Sequence, residues 1–136
     1  MTRRAGFTLI ELLIVVVIIG ILASIAIPKY HTTKEKAYVA TMKADLRKLA
    51  VAEETWFSGH GVYFEGTTSN DGDGGIVTLG DDFYPSSGVT LVATLSNGGW
   101  WASATYTTGT TRTCALYFGV TPAAPATSEG APMCDP

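Results

Sequence analysis

The residue best placed to do chemistry is a carboxylate in an apolar run. Glu11 is the single charged side chain between Arg4 and Lys29, and its neighbours from Phe7 to Ile27 are otherwise Phe, Thr, Leu, Ile, Val, Gly, Ala and Ser. An ionised carboxylate held in hydrocarbon costs several kcal/mol, so acids of this kind need a partner and usually carry a function. On the same chain the cations within reach are Arg3, Arg4 and any α-amino group made by removing them. The chemistry on offer is ion pairing with an amine.

The remaining reactive side chains give less. His31 and His60 stand in polar settings without a matched nucleophile or metal-ligand spacing, so the chain reads as a non-enzyme that needs no cofactor. Asp71, Asp73, Asp81 and Asp82 fall in a polar, glycine-containing stretch. Asn70-Asp71-Gly72-Asp73-Gly74-Gly75, with Asp82 eleven residues after Asp71, has part of a calcium loop, which would use Asp71, Asp73 and Asp82 as ligands. The sixth position is Ile76 where glycine is expected and the twelfth is Asp where Glu is expected, so a solvated turn is preferred and no metal site is expected. Cys114 and Cys134 lie 20 positions apart with no CxxC spacing, which suits a disulfide in a domain outside the cytoplasm. Closing such a loop contributes about 3 kcal/mol on the chain-entropy account. Trp100, Trp101 and Tyr106 offer rings for stacking sugars or bases, but aromatic residues on strands are more often core.

These residues need elements to hold them. Phe7 to Pro28 is long enough, at about 1.5 Å per residue, to cross a bilayer core of roughly 30 Å. Arg3 and Arg4 before it favour an N-in, C-out orientation. A secretory signal peptide would be shorter and end at a small-residue site such as Ala23-Ser24-Ile25-Ala26, but neither it nor a plain anchor explains Glu11. Gly20 costs about 1 kcal/mol relative to Ala, and Pro28 removes a donor and crowds the Ser24 carbonyl at a cost of about 3 kcal/mol, so the stretch between them is the weak point.

Beyond Pro28, Tyr38, Met42, Leu46, Leu49 and Trp56 recur at helical spacing, with Ala52 and Glu53 bridging the last gap. Lys43, Asp45, Arg47 and Lys48 are assigned to other faces, with Asp45 and Lys48 paired at i, i+3. Thr32-x-x-Glu35 matches a capping box that would restart a helix, yet no turn residue separates the halves, so one helix from about residue 7 to 57, kinked at Pro28, is expected. The six basic and two acidic residues from Lys29 to Lys48 suit lipid headgroups or nucleic acid, but a solvated face is preferred. Ser58-Gly59-His60-Gly61 stops the helix. Val89–Leu95 then alternates with period two, Asn97-Gly98 signals a hairpin, and Trp100–Thr107 and Thr113–Phe118 follow as strands, with Ile76–Leu79 a fourth candidate. The expected fold is α+β, a long helix whose second half packs on a small antiparallel sheet of three to four strands.

Gly6-Phe7-Thr8-Leu9-Ile10-Glu11, running into this apolar segment, resembles the N-terminal signature of type IV pilins and the related pseudopilins over about the first 57 residues. The resemblance implies cleavage between Gly6 and Phe7 by a prepilin peptidase, N-methylation of Phe7, and pairing of Glu11 with the N-terminal amine of a neighbouring subunit. It also implies a segment between Gly20 and Pro28 that unwinds in the filament, and an exposed loop from Ala115 to Met133 bounded by Cys114 and Cys134. The chain then divides into a leader 1–6, a membrane or filament-core helix 7–28, its amphipathic half 29–57, an αβ loop 58–88 and a sheet with disulfide loop 89–136. Losing Arg3 and Arg4 leaves seven cations against twelve anions, taking the side-chain charge from -3 to -5.

The implied function is that of a major pilin, the structural subunit of a type IV pilus serving motility, adhesion or DNA uptake. The alternative is a pseudopilin of a type II secretion system or a minor tip or adhesin pilin. Its implied partners are copies of itself, the prepilin peptidase, the assembly machinery of the inner membrane, and lipid before assembly; nucleic acid is not indicated. The implied location is the inner membrane first and an extracellular filament afterwards.

Overall fold

The computed structural model describes residues 6–71, 76–77 and 83–136, with the backbone alone for 76–77. A single helix, α1, runs from Leu9 to His60 and passes through Pro28 without interruption. By length and composition it can cross a membrane. Two units divide the chain, one to Lys34 and the other Glu35–Pro136.

In the first unit the apolar side chains from Leu9 to Ile27 are exposed on every side of the helix, apart from half-buried Ala23. Hydroxyls bond back onto the helix around the proline: Ser24 Oγ donates to the Ile21 carbonyl, Thr32 Oγ1 to Pro28 and Thr33 Oγ1 to Lys29. The box at Thr32 is therefore not a helix start. The helix backbone there is continuous, and Glu35 instead accepts from Arg112 Nε at 2.8 Å.

In the second unit α1 ends at His60 because Gly61 takes φ +73°, with its N–H donating to Phe57 O. Six antiparallel strands follow among the described residues: β1 Gly66–Asn70, β2 Ile76–Val77, β3 Val89–Ser96, β4 Gly99–Tyr106, β5 Thr113–Phe118 and β6 Met133–Cys134. They form one sheet in the order β2-β1-β3-β4-β5-β6. The hairpin falls where the dipeptide placed it: Ser96 pairs with Gly99, and Asn97 and Gly98 both have positive φ, as a two-residue primed turn requires. The sheet is wider than expected by β1 and β6. β1 is a polar segment without alternation that gains its ladder by pairing with β3, and β6 is two residues brought beside β5.

The core lies between the second half of α1 and one sheet face. Met42, Leu46 and Leu49 meet Val89, Leu91, Ala93, Trp100, Ala102, Ala104, Cys114 and Leu116, all buried. Tyr38 stacks on Tyr106 with ring centroids 4.2 Å apart, and Trp56 packs at the other end of the stripe against His60 and Phe64. Leu95, expected on the inner face, is 40% exposed beside the turn.

The opposite sheet face is also covered. Ala115, Tyr117 and Ala126 form a second buried cluster with Trp101, Val120 and Ala123 against it. The Ala115–Met133 loop is therefore not exposed throughout: it begins as a central core strand and returns over the sheet. Cys114 and Cys134 are bonded to each other. Backbone groups share the fastening, with Gly130 N–H donating to Tyr117 O, Gly119 N–H to Glu129 Oε1, and Thr113 N–H to Asp135 Oδ1.

Candidate functional site

The site begins at the first turn of α1, where four backbone N–H groups lack helical partners. Thr8 is the N-cap and Glu11 the third helical residue, the spacing of a capping box. The bonds are reciprocal: Thr8 N–H donates to Glu11 Oε2 at 2.9 Å and Glu11 N–H to Thr8 Oγ1 at 3.3 Å. The Thr8 hydroxyl also donates to Glu11 Oε2, at 2.7 Å. Glu11 thus meets donors of its own chain, none of them cationic. All three bonds leave Glu11 Oε1 without a partner among the described residues, so the carboxylate is oriented by one oxygen and open at the other.

The surroundings suit a contact still to be made. Phe7 is 82% exposed, and a methyl group added at either Gly6 or Gly20 would meet nothing within 4 Å. Gly20 therefore has no packing reason within the single chain. Arg3 and Arg4 lie outside the described residues. From Leu9 to Ile27 every side of the helix is apolar and exposed, so Glu11 is the one charge on a surface made for lipid or other apolar helices.

Two acids in the second half of α1 have a different part. Asp45, assigned by charge to an outer face, is buried, and it anchors the segment before β3: Oδ2 accepts from Ser86 N–H at 2.8 Å and Oδ1 from Ser86 Oγ at 3.0 Å. The expected pair with Lys48 is present at 3.0 Å. Glu53 is 1% exposed and accepts from Phe64 N–H at 2.9 Å, while its Oε1 has no partner among the described residues. Burial pushes its carboxyl above the usual range, the Phe64 N–H pulls the other way, and Glu54 adds to the rise. Both acids are structural, and the signal for them was position: Asp45 is flanked by Met42, Leu46 and Leu49 on the buried side.

Among the described residues the other candidates do not converge. Asp71 is exposed, Asp73 and Asp82 lie outside the described residues, and among the described residues no group of three or more His, Cys, Asp or Glu could hold a metal. Trp100 is in the core, and Trp101 lies on the opposite face beside Val120, Thr121 and Pro122. His31 and His60 have ring contacts with Tyr30 and Trp56 respectively, and His60 Nδ1 lies 3.1 Å from the Trp56 carbonyl oxygen.

Comparison with known proteins returns to the first turn. Residues 1–27 match the prokaryotic N-terminal methylation motif. The chain is 43% identical over 70 residues to type IV major pilin protein PilE1 of Neisseria gonorrhoeae, covering 50% of this chain and 41% of that protein. It is 48% identical over 56 residues to type IV major pilin protein PilA of Myxococcus xanthus, covering 41% of this chain and 26% of that one. It is also 42% identical over 50 residues to type II secretion system core protein G of Pseudomonas aeruginosa, covering 37% and 35%. The matched stretch thus spans less than half of each of these relatives. No solved structure matches the chain.

Proposed function

We propose, for a chain whose N-terminal half is similar to type IV major pilins, that it is the structural subunit of a surface filament, held in the inner membrane by α1 until it polymerises. The observation that carries this reading is the first turn of α1: an acid with one oxygen capped and the other open, on a helix apolar all round, inside a methylation motif. In this reading a peptidase cuts between Gly6 and Phe7, the new amine on Phe7 is methylated, and the leader's Arg3 and Arg4 keep the N-terminus cytoplasmic until the cut.

Assembly then has a local logic. A neighbour's amine binds Glu11 Oε1 while Oε2 keeps Thr8 N–H, so the incoming subunit gains an ion pair in a low-dielectric setting without uncapping the helix. Continuous helix from Gly20 to Pro28 is the state of the single chain, and its missing proline donor and back-bonded hydroxyls make it the segment to unwind on polymerisation. Similarity to a secretion-system core protein supports a pseudopilin as the second reading. The Cys114–Cys134 bridge favours the pilus, since major pseudopilins tend to have a calcium-binding loop in its place.

The test is to shear filaments from the producing cell and sequence their main component, which should be this chain starting at Phe7. Glu11→Ala should still be cut and still reside in the membrane, yet yield few filaments. Normal filaments from that variant would remove the role given to Glu11.

A further inference from the structure

The second unit separates its charges along α1. It holds five cations, Lys36, Lys43, Arg47, Lys48 and Arg112, against eleven acids. Arg112 is paired with Glu35 and Lys48 with Asp45. Lys36, Lys43 and Arg47 have no partner among the described residues. Their spacing of seven and four puts them on one side of the helix, away from the buried Met42, Leu46, Leu49 and Glu53.

Farther along the same side the sign reverses. Glu54 lies seven residues after Arg47 and is exposed. The loop after the helix folds back onto that end, with Tyr63 Oη donating to Glu54 Oε1 at 3.1 Å and Phe64 N–H to Glu53. This brings exposed Glu65, which has no partner among the described residues, to the same end. At the acidic end lies an open groove of about 470 Å³ lined by Ala50, Val51, Glu54, Thr55, Ser58 and Phe118, with Val51 68% exposed.

We propose that the Lys36, Lys43 and Arg47 face docks against the Glu54 and Glu65 end of a second copy of this chain. The occupant follows from the charges. In the filament read above every copy stands parallel on the same membrane-entering helix, so a two-fold contact would set basic face on basic face; a basic end meeting an acidic end between parallel copies is head-to-tail, the arrangement that propagates into an open helical array. A long polyanion fits less well, because laid along the basic face it would run onto Glu54, about 10 Å farther along the same side of the helix, on a unit with eleven acids against five cations. A second copy brings the matching acids with it. The contact rests on the filament reading above and adds to it a surface remote from Glu11.

The experiment uses the full chain in its producing cell. Zero-length carbodiimide cross-linking of sheared parent filaments, mixed from light and heavy isotope cultures, should give linkages between copies from Lys36 or Lys43 to Glu54 or Glu65. Lys36→Glu/Lys43→Glu/Arg47→Glu should lower filament yield about tenfold, as should Glu54→Lys/Glu65→Lys, and combining the two sets should restore most of it. Parent filaments without those linkages would overturn the contact while leaving the filament reading intact. So would yields unmoved by reversal, or filaments that lose only retention of duplex DNA when the three cations are reversed. A parent chain found in no filament would remove the filament reading itself and the contact with it.

Discussion

Asp45→Ala is the change from which the fold of the second unit has most to lose for so small a side chain. The carboxylate is wholly buried and holds the N–H and hydroxyl of Ser86, 41 residues away, at 2.8 and 3.0 Å. Hydrogen bonds to charged groups contribute about 1.5–3 kcal/mol each, and because Ser86 is half-buried the low end, about 1.5 kcal/mol, applies to both of its bonds. Lys48 is 62% exposed, so its pair adds at most about 0.5 kcal/mol. The sum is about 3–4 kcal/mol. A unit of this size unfolds with an entropy near 0.2 kcal/mol per kelvin, so Tm should fall by roughly 15 °C. Asp45→Asn, which keeps a carbonyl acceptor for Ser86 N–H, should lose about half as much. Lys48→Ala should stay within roughly 3 °C of the parent. The assay is thermal unfolding of the detergent-solubilised full chain, followed by near-UV circular dichroism and tryptophan fluorescence. If Asp45→Ala melted with the parent, or Lys48→Ala fell as far as Asp45→Ala, the anchoring of the Ser86 segment by this acid would be refuted.

Glu53 sets a pH dependence: its carboxyl is raised in the folded state, so its contribution is fully present below the unfolded carboxylate value of about 4.5 and is lost as pH rises through the folded value. Glu53→Gln should therefore flatten this part of the stability profile, measured by urea unfolding across pH 4 to 7. Reducing Cys114–Cys134, or replacing both by Ser, should cost about 3 kcal/mol, seen as a lower Tm under reducing conditions; equal melting with and without reductant would mean that the backbone bonds of Asp135 and Gly130 suffice. Thr8→Val removes the hydroxyl but keeps the N–H, so Glu11 should lose its fixed orientation and filament yield should fall several-fold, less than for Glu11→Ala.

What could be read beforehand was whatever local chemistry settles by itself. Asn97-Gly98 can adopt positive φ at both positions, and the register from Ser96–Gly99 outward follows from that turn. The helix was legible from its spacing, and the two cysteines from their isolation. What escaped was settled by long-range partners. Gly66–Asn70 has no strand pattern and becomes one because β3 offers it a free edge. Asp45 was turned outward by its charge, although Met42, Leu46 and Leu49 surround its position, because Ser86 is invisible from there. The capping signature occurs twice, at Thr8–Glu11 and Thr32–Glu35, and only the first lies where helix N–H groups are unmet. At the second, α1 already supplies the bonds and Glu35 turns to Arg112.

If the chain polymerises as proposed, its first unit also limits how many neighbours the filament must supply. An amphipathic helix hides its stripe with one partner, but from Leu9 to Ile27 this helix exposes Leu, Ile and Val on every side, so a dimer would leave most of that surface in water. In the proposed reading lipid covers it for the single chain, and outside lipid a ring of similar helices does. Such a ring leaves the single carboxylate inside it with no water, and its open oxygen must then meet a donor from the same ring. In the proposed filament, the amine of a neighbour is the cation that every copy would bring to that depth. Apolar surface on all sides therefore calls for many copies, and the lone acid among them fixes where along the helix each copy stops.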